Sequence, residues 1–128
     1  MAKKEALHSD KAPKAIGPYS QAIKSGSMVF LSGQIPLDPI SMELVSHDIA
    51  EQTRQVLDNL TAVANAAGGT LDDCVKLTIY LTDLNHFSVV NEVMETYFSS
   101  PFPARATVEV SALPRAAQVE IEAILQAG

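Results

Sequence analysis

Residues 74 to 82, CVKLTIYLT, alternate almost without a break between apolar and polar side chains. Val75, Leu77, Ile79 and Leu81 fall on one side, and Lys76, Thr78, Tyr80 and Thr82 on the other. This is the period-two pattern of a β-strand with one buried face. Such a strand needs neighbours in a sheet and a second layer over its apolar row. Helical patterns on either side supply that layer. Upstream, Ile49, Thr53, Val56, Leu57, Leu60, Val63, Ala64 and Ala67 recur at helical spacing. Ser46 or Asp48 can cap the start, Asp48 and Glu51 stand at capping-box spacing, and Gly68-Gly69 offers a left-handed stop. Downstream, Thr82-Asp83-Leu84-Asn85 breaks the strand and caps a second helix. Its stripe of Phe87, Val90, Met94, Tyr97 and Phe98 reads as core.

Further strands precede and follow this unit. Gln21 to Lys24 and Met28 to Ser32 flank Ser25-Gly26-Ser27, a loop of hairpin length. Met28-Val29-Phe30-Leu31 is apolar on both faces and must be covered on both. Ser32-Gly33-Gln34-Ile35-Pro36 ends that strand, and a loop from Pro39 to Ser46 holds one short strand around Glu43 to Val45. Two closing strands, Ala104 to Ser111 and Gln118 to Gln126, are joined through Ala112-Leu113-Pro114-Arg115. The order β-β-(β)-α-β-α-β-β predicts an α+β sandwich, one domain over residues 1–128, with two helices on one face of the sheet. Residues 1–15 are polar and punctuated by breakers, and read as a flexible or loosely docked lead-in. Two helices cannot also cover the opposite face, where Phe30, Tyr80 and Ile124 lie. Self-association into a closed homo-oligomer is the expected solution.

Bulk properties narrow the function classes. With 128 residues and 47% hydrophobic content, the chain can bury a core without disulfides or metal. A formal net charge of −6 argues against a general nucleic-acid surface. Lys3, Lys4, Lys11 and Lys14 form a small basic start that reads as a solvated end. No run approaches the roughly 18 to 20 apolar residues of a membrane span. The N-terminus lacks a signal-peptide core, so a cytoplasmic location is expected. The lone cysteine, Cys74, excludes an internal disulfide and reads as a small packed residue. His8, His47 and His86 are scattered without metal-ligand spacing, and no metal or cofactor is expected.

The charges on the closing strands need an explanation. Arg105 and Glu120 each interrupt a strand-like run, and a strand that buries a charge has a use or a partner for it. Ala106, Val108 and Val110 share one face of the first strand, with Arg105, Thr107 and Glu109 on the other. In the second, Val119, Ile121, Ala123 and Leu125 oppose Glu120, Glu122 and Ile124. Antiparallel pairing of these two strands would place Arg105 and Glu120 on the same face if the apolar rows share the helix side. The strand pattern alone is consistent with a structural ion pair and with a functional pair. Gly17-Pro18 fixes the direction of Tyr19, which is either a cover for a core edge or a pocket residue. Gly33 permits close backbone approach after Ser32, and Asn91 in mid-helix needs a partner for its amide.

Ile16-Gly17-Pro18-Tyr19, Ser32-Gly33-Gln34-Ile35-Pro36, and Pro103-Ala104-Arg105 followed by Val119-Glu120-Ile121 together resemble the Rid family of reactive intermediate deaminases, also called YjgF/YER057c/UK114. The similarity runs from about residue 12 to residue 125, and the three motifs stand in the family's order. The resemblance implies a chorismate-mutase-like variant of the ferredoxin-like fold, with a mixed sheet of about six strands. It also implies a homotrimer with clefts between subunits. The implied activity is hydrolysis of enamine and imine intermediates, chiefly 2-aminoacrylate (2-iminopropionate) and 2-iminobutyrate, to 2-keto acids and ammonia. By motif, Arg105 would clamp the substrate carboxylate and Glu120 would orient water. Tyr19, Ser32, Gly33, Asn91 and Thr107 would line the cleft. Thr107 departs from the Cys common at that position in the family. Two other readings are carried beside this one. The first is a small-carboxylate binder or regulatory protein without turnover. The second is an endoribonuclease or translation inhibitor, against which the acidic balance weighs.

Overall fold

The computed structural model describes residues 3–127. Six strands form one sheet: β1 (Glu5–Leu7), β2 (Ala22–Ser25), β3 (Met28–Gln34), β4 (Cys74–Leu81), β5 (Ala104–Glu109) and β6 (Val119–Gln126). Their spatial order is β1-β2-β3-β6-β4-β5. Every pairing is antiparallel except β4 with β5, which is parallel. Helices α1 (Ile49–Ala66) and α2 (Phe87–Met94) cover one face. The fold is α+β with a mixed six-stranded sheet and two helices, of the chorismate-mutase-like type.

The core lies between α1, α2 and the apolar rows of the central strands. Leu77, Ile79 and Leu81 of β4 meet Val119, Ile121, Ala123 and Leu125 of β6 and Val56, Leu57, Leu60 and Val63 of α1, all 3% exposed or less. Burying one Leu or Ile in this way contributes about 1.5–3 kcal/mol relative to leaving it in water. Asp48 is the α1 N-cap, accepting the Glu51 N–H at 2.9 Å. The helix stops where Gly68 takes φ 83° and the amides of Gly68 and Gly69 return to Asn65 and Ala64.

Four sequence expectations change. In place of a loosely docked lead-in, Glu5–Leu7 is an edge strand on β2. The next segment is fastened by the buried Gln21, whose amide donates to the Pro13 carbonyl at 2.8 Å and accepts the Ser9 N–H at 2.6 Å. Residues 1 and 2 of that lead-in, and residue 128 of the domain, lie outside the described residues. Val75 is 41% exposed because the pairing of β4 with β6 slips between Cys74 and Lys76, turning Cys74 inward instead. The short strand expected at Glu43 to Val45 reduces to one bridge, Leu37 to Leu44. Finally, the closing strands β5 and β6 do not pair, because β4 lies between them.

That last difference decides the geometry of the charged residues. In the parallel register Arg105 stands beside Leu77 and Thr107 beside Ile79, so both point to the helix side. Across the antiparallel pair, Glu120 stands opposite Tyr80 and Glu122 opposite Thr78, on the helix-free side. Arg105 and Glu120 therefore occupy opposite faces of the sheet, contrary to the expectation of a shared face.

Candidate active site

The first group of candidate residues is built by α2 and the edge strand β5. Phe87 and Asn91 are four residues apart on α2 and so share one helix face. Asn91 Oδ1 accepts a hydrogen bond from Arg105 Nη1 at 2.5 Å, and the Arg105 guanidinium carbon lies 5.1 Å from the centre of the Phe87 ring. Among the described residues no carboxylate is within salt-bridge distance of Arg105. Glu109, on the same face of β5, is engaged elsewhere, accepting the Leu84 N–H at 2.9 Å. The guanidinium stays exposed at the rim of a cleft of about 530 Å³, lined by Leu77, Asn91, Met94, Phe98 and Phe102, with Glu95 also on its wall but not paired to Arg105. Thr107 Oγ1, two residues along β5, is buried with no hydrogen-bond partner among the described residues. A buried hydroxyl without a partner is uncommon in a finished core, and here it lies on the same face as the exposed cation.

The second group lies on the opposite, helix-free face of the same sheet. Pairing of β3 with β6 is interrupted between Leu31 and Gln34, which places Ser32 and Gly33 in the irregular stretch. Ser32 Oγ donates to the Ser20 carbonyl at 2.6 Å and Ser32 N–H to the Gln21 carbonyl at 2.9 Å. These bonds tie the Gly17–Ser20 turn to the end of β3, and Tyr19 on that turn is 55% exposed. Gly33 faces Glu120 so closely that a Cβ there would sit 2.9 Å from Glu120 Cδ and nearer still to Oε2. Only a residue without a side chain leaves the carboxylate its present position. Burial, and secondarily the charge of Glu122, raise the Glu120 pKa above its ordinary 4.5. Glu122 in turn accepts a short hydrogen bond from the Tyr80 hydroxyl. A carboxylate held this way binds its proton more tightly than one in water.

Buried amides fix the loops around the second group. Gln52 accepts the Gln118 N–H at 2.9 Å and donates to the Ser46 carbonyl at 2.8 Å, while Asn59 donates to the Leu37 carbonyl at 3.1 Å. These bonds set the chain leaving β3 and the start of β6, from which Gly33 and Glu120 project. The periodicity of α1 shows only an amphipathic stripe. Two polar amides beside that stripe were the signal available for this positioning role. Phe87, on the helix stripe expected to be core, is instead 36% exposed and lies on the guanidinium.

Cys74 is buried, and burial lifts its pKa to about 11, so the thiol carries its proton at neutral pH. Among the described residues no group of three or more His, Cys, Asp or Glu side chains is placed to hold a metal. No helix among them is long and apolar enough to cross a membrane.

Comparison with known proteins agrees with this architecture. The family model described as Endoribonuclease L-PSP matches residues 9–127. The chain belongs to this family, the Rid or YjgF family. Its relatives include a RutC family protein of Pyrococcus horikoshii, 54% identical over 94% of this chain and 96% of the relative. The 2-iminobutanoate/2-iminopropanoate deaminase of Mus musculus is 46% identical over 98% of this chain and 93% of its own. Among solved structures, E. coli TdcF with bound serine superposes with a TM-score of 0.91 at 40% identity, covering 97% of this chain and 99% of TdcF. Against this Rid background the motif residues separate cleanly. Arg105, Asn91 and Thr107 form one group, and Tyr19, Ser32, Gly33 and Glu120 the other.

Proposed function

We propose that this Rid protein hydrolyses 2-imino acids, and the enamines that tautomerise to them, to 2-keto acids and ammonia. The observation that carries this reading is the state of Arg105. It is a fixed guanidinium with no carboxylate partner among the described residues, standing at the mouth of a cleft. Such a group suits a substrate carboxylate, because the planar fork can take both oxygens at once. The Thr107 hydroxyl, on the same face of β5, is buried without a partner among the described residues, an unspent hydrogen-bonding capacity close behind the clamp. Relatives named for this activity at 46% identity, and a homologue holding an amino acid, support the same substrate class.

The chemistry requires one water and one base. Water adds to the imine carbon while Glu120 takes its proton. The resulting carbinolamine expels ammonia when that proton is returned to nitrogen and the freed Glu120 carboxylate takes the hydroxyl proton, leaving the 2-keto acid. The raised proton affinity of Glu120 suits these transfers. Metal and covalent steps are not needed for this balance, since positioning of a water accelerates a reaction that already proceeds in solution.

Because Arg105 and Glu120 lie on opposite faces of one sheet, the complete site in this reading joins the Arg105 group of one copy to the Glu120 group of another. Exposed Phe30 and Val108 on the helix-free face, and exposed β5 at the sheet edge, are surfaces that a ring of three copies would cover. The test is to generate 2-aminoacrylate in situ with a serine dehydratase and follow keto-acid release. Acceleration by the parent and its loss in Arg105→Ala are expected. An Arg105→Ala variant as active as the parent would overturn the reading. Tight keto-acid binding without any turnover would instead establish the small-carboxylate binder.

A further inference from the structure

Phe87 does little for the core. It opens α2 with 36% of its surface exposed, and its ring faces the Arg105 guanidinium carbon at 5.1 Å. One turn on, Asn91 Oδ1 accepts from a single guanidinium nitrogen, Nη1, at 2.5 Å. The two residues act on the cation from different directions. Asn91 takes one in-plane N–H, while Phe87 lies against the cation and consumes none of them.

A protein can hold an arginine side chain in three ways, with different consequences for ligand binding. A carboxylate partner fixes the guanidinium but cancels its charge and occupies the fork that a substrate carboxylate needs. An amide oxygen occupies one of the five N–H donors. An aromatic ring holds the cation through its quadrupole and leaves both charge and donors in place. Around Arg105 the first is absent among the described residues, and the second and third are present.

We propose that Phe87 is a positioning residue for the Arg105 carboxylate clamp, its ring holding the guanidinium in place so that the in-plane N–H groups left by Asn91 are presented to the ligand. This rests on the reading of Arg105 as a carboxylate clamp. Without the ring, the long arginine side chain regains rotamer freedom that binding must then remove. The loss falls on carboxylate affinity and not on the proton transfers at Glu120.

The experiment is a titration with sodium 2-oxobutyrate, a stable carboxylate of the product class, followed by calorimetry, alongside deaminase kinetics. Phe87→Leu keeps an apolar side chain of similar bulk without a π face. It is expected to weaken 2-oxobutyrate binding about two- to fivefold, the range for one exposed cation–π contact. KM should rise by the same factor with kcat unchanged, as for lost uniform binding. Phe87→Tyr, which retains the ring and can turn its hydroxyl to water, should restore both. Binding in Phe87→Leu equal to the parent, or no recovery in Phe87→Tyr, overturns the proposal while leaving the clamp intact. Undiminished binding in Arg105→Ala would instead remove the clamp reading, and the role of Phe87 with it.

Discussion

Replacing Gly33 by alanine tests the Glu120 half of the site with a single methyl group. Gly33 does not have a positive φ, so the backbone itself accepts alanine. The strain comes from what the new Cβ meets: Glu120 Cδ at 2.9 Å, Cγ at 3.1 Å, and Oε2 closer than either, where ordinary contact begins at 3.4 Å. The carboxylate must therefore retreat by roughly 1 Å, and a misplacement of about that size costs on the order of 100-fold in rate. The displaced atoms are the end of a flexible side chain, so the fold should lose no more than about 1 kcal/mol, within the ordinary range for point variants. The assay is keto-acid release from enzymatically generated 2-aminoacrylate, with thermal melting as the control on folding. A Gly33→Ala protein that melts within a few degrees of the parent but retains parental kcat would refute the role given to the Glu120 carboxylate.

Four further variants have defined outcomes, two at the Glu120 site and two in the turn before β6. Glu122→Gln removes the second cause of the raised Glu120 pKa and leaves burial, the first. The acidic limb of the kcat/KM profile should therefore move to lower pH without reaching 4.5, and an unmoved limb would contradict the coupling. Because the folded state holds the Glu120 proton more tightly than the unfolded chain, stability is lost as pH rises from 4.5 through the folded value. Glu120→Gln should consequently melt higher than the parent at pH 7 to 8, by a margin that vanishes in acid, while losing activity. Ala116 adopts φ 59° beside Arg115 at φ 60°. Ala116→Gly should stabilise by about 0.5–1 kcal/mol, read as a melting point a few degrees higher, since relief of left-handed strain exceeds the entropy cost of glycine. Arg115→Gly should show no such gain, as it also removes the bond from Arg115 Nη2 to the Met42 carbonyl at 2.9 Å.

Local pattern was legible wherever one face of an element meets the core. The alternation of Leu77, Ile79 and Leu81, the Asp48 cap and the Gly68 stop all appear in the fold as read. Alternation says which residues of a strand share a face, but not which strand lies beside it. The sides of Arg105 and Glu120 could not be compared until β4 was found between β5 and β6. A slip at Cys74 likewise inverts Val75 without any turn residue to announce it. The strand Glu5–Leu7 is too short at three residues to carry a pattern and is defined by its pairing with β2, while the segment after it is fastened by Gln21, an amide distant in sequence. The motif residues themselves were visible from the family's sequence pattern. Their division into two groups, and the roles of Phe87, Gln52 and Asn59 in holding them, depend on packing across elements.

The composite site is the central claim, and subunit complementation tests it most directly. Arg105→Ala and Glu120→Ala proteins, each inactive alone, are mixed in equal amounts and dissociated and reassembled together. If every cleft takes Arg105 from one copy and Glu120 from its neighbour in a ring of three, each mixed trimer regains one intact cleft. Random reassembly then restores about one quarter of parental deaminase activity. Activity remaining at the level of the separate variants, with subunit exchange verified by mass, would show that the two residues do not act across an interface.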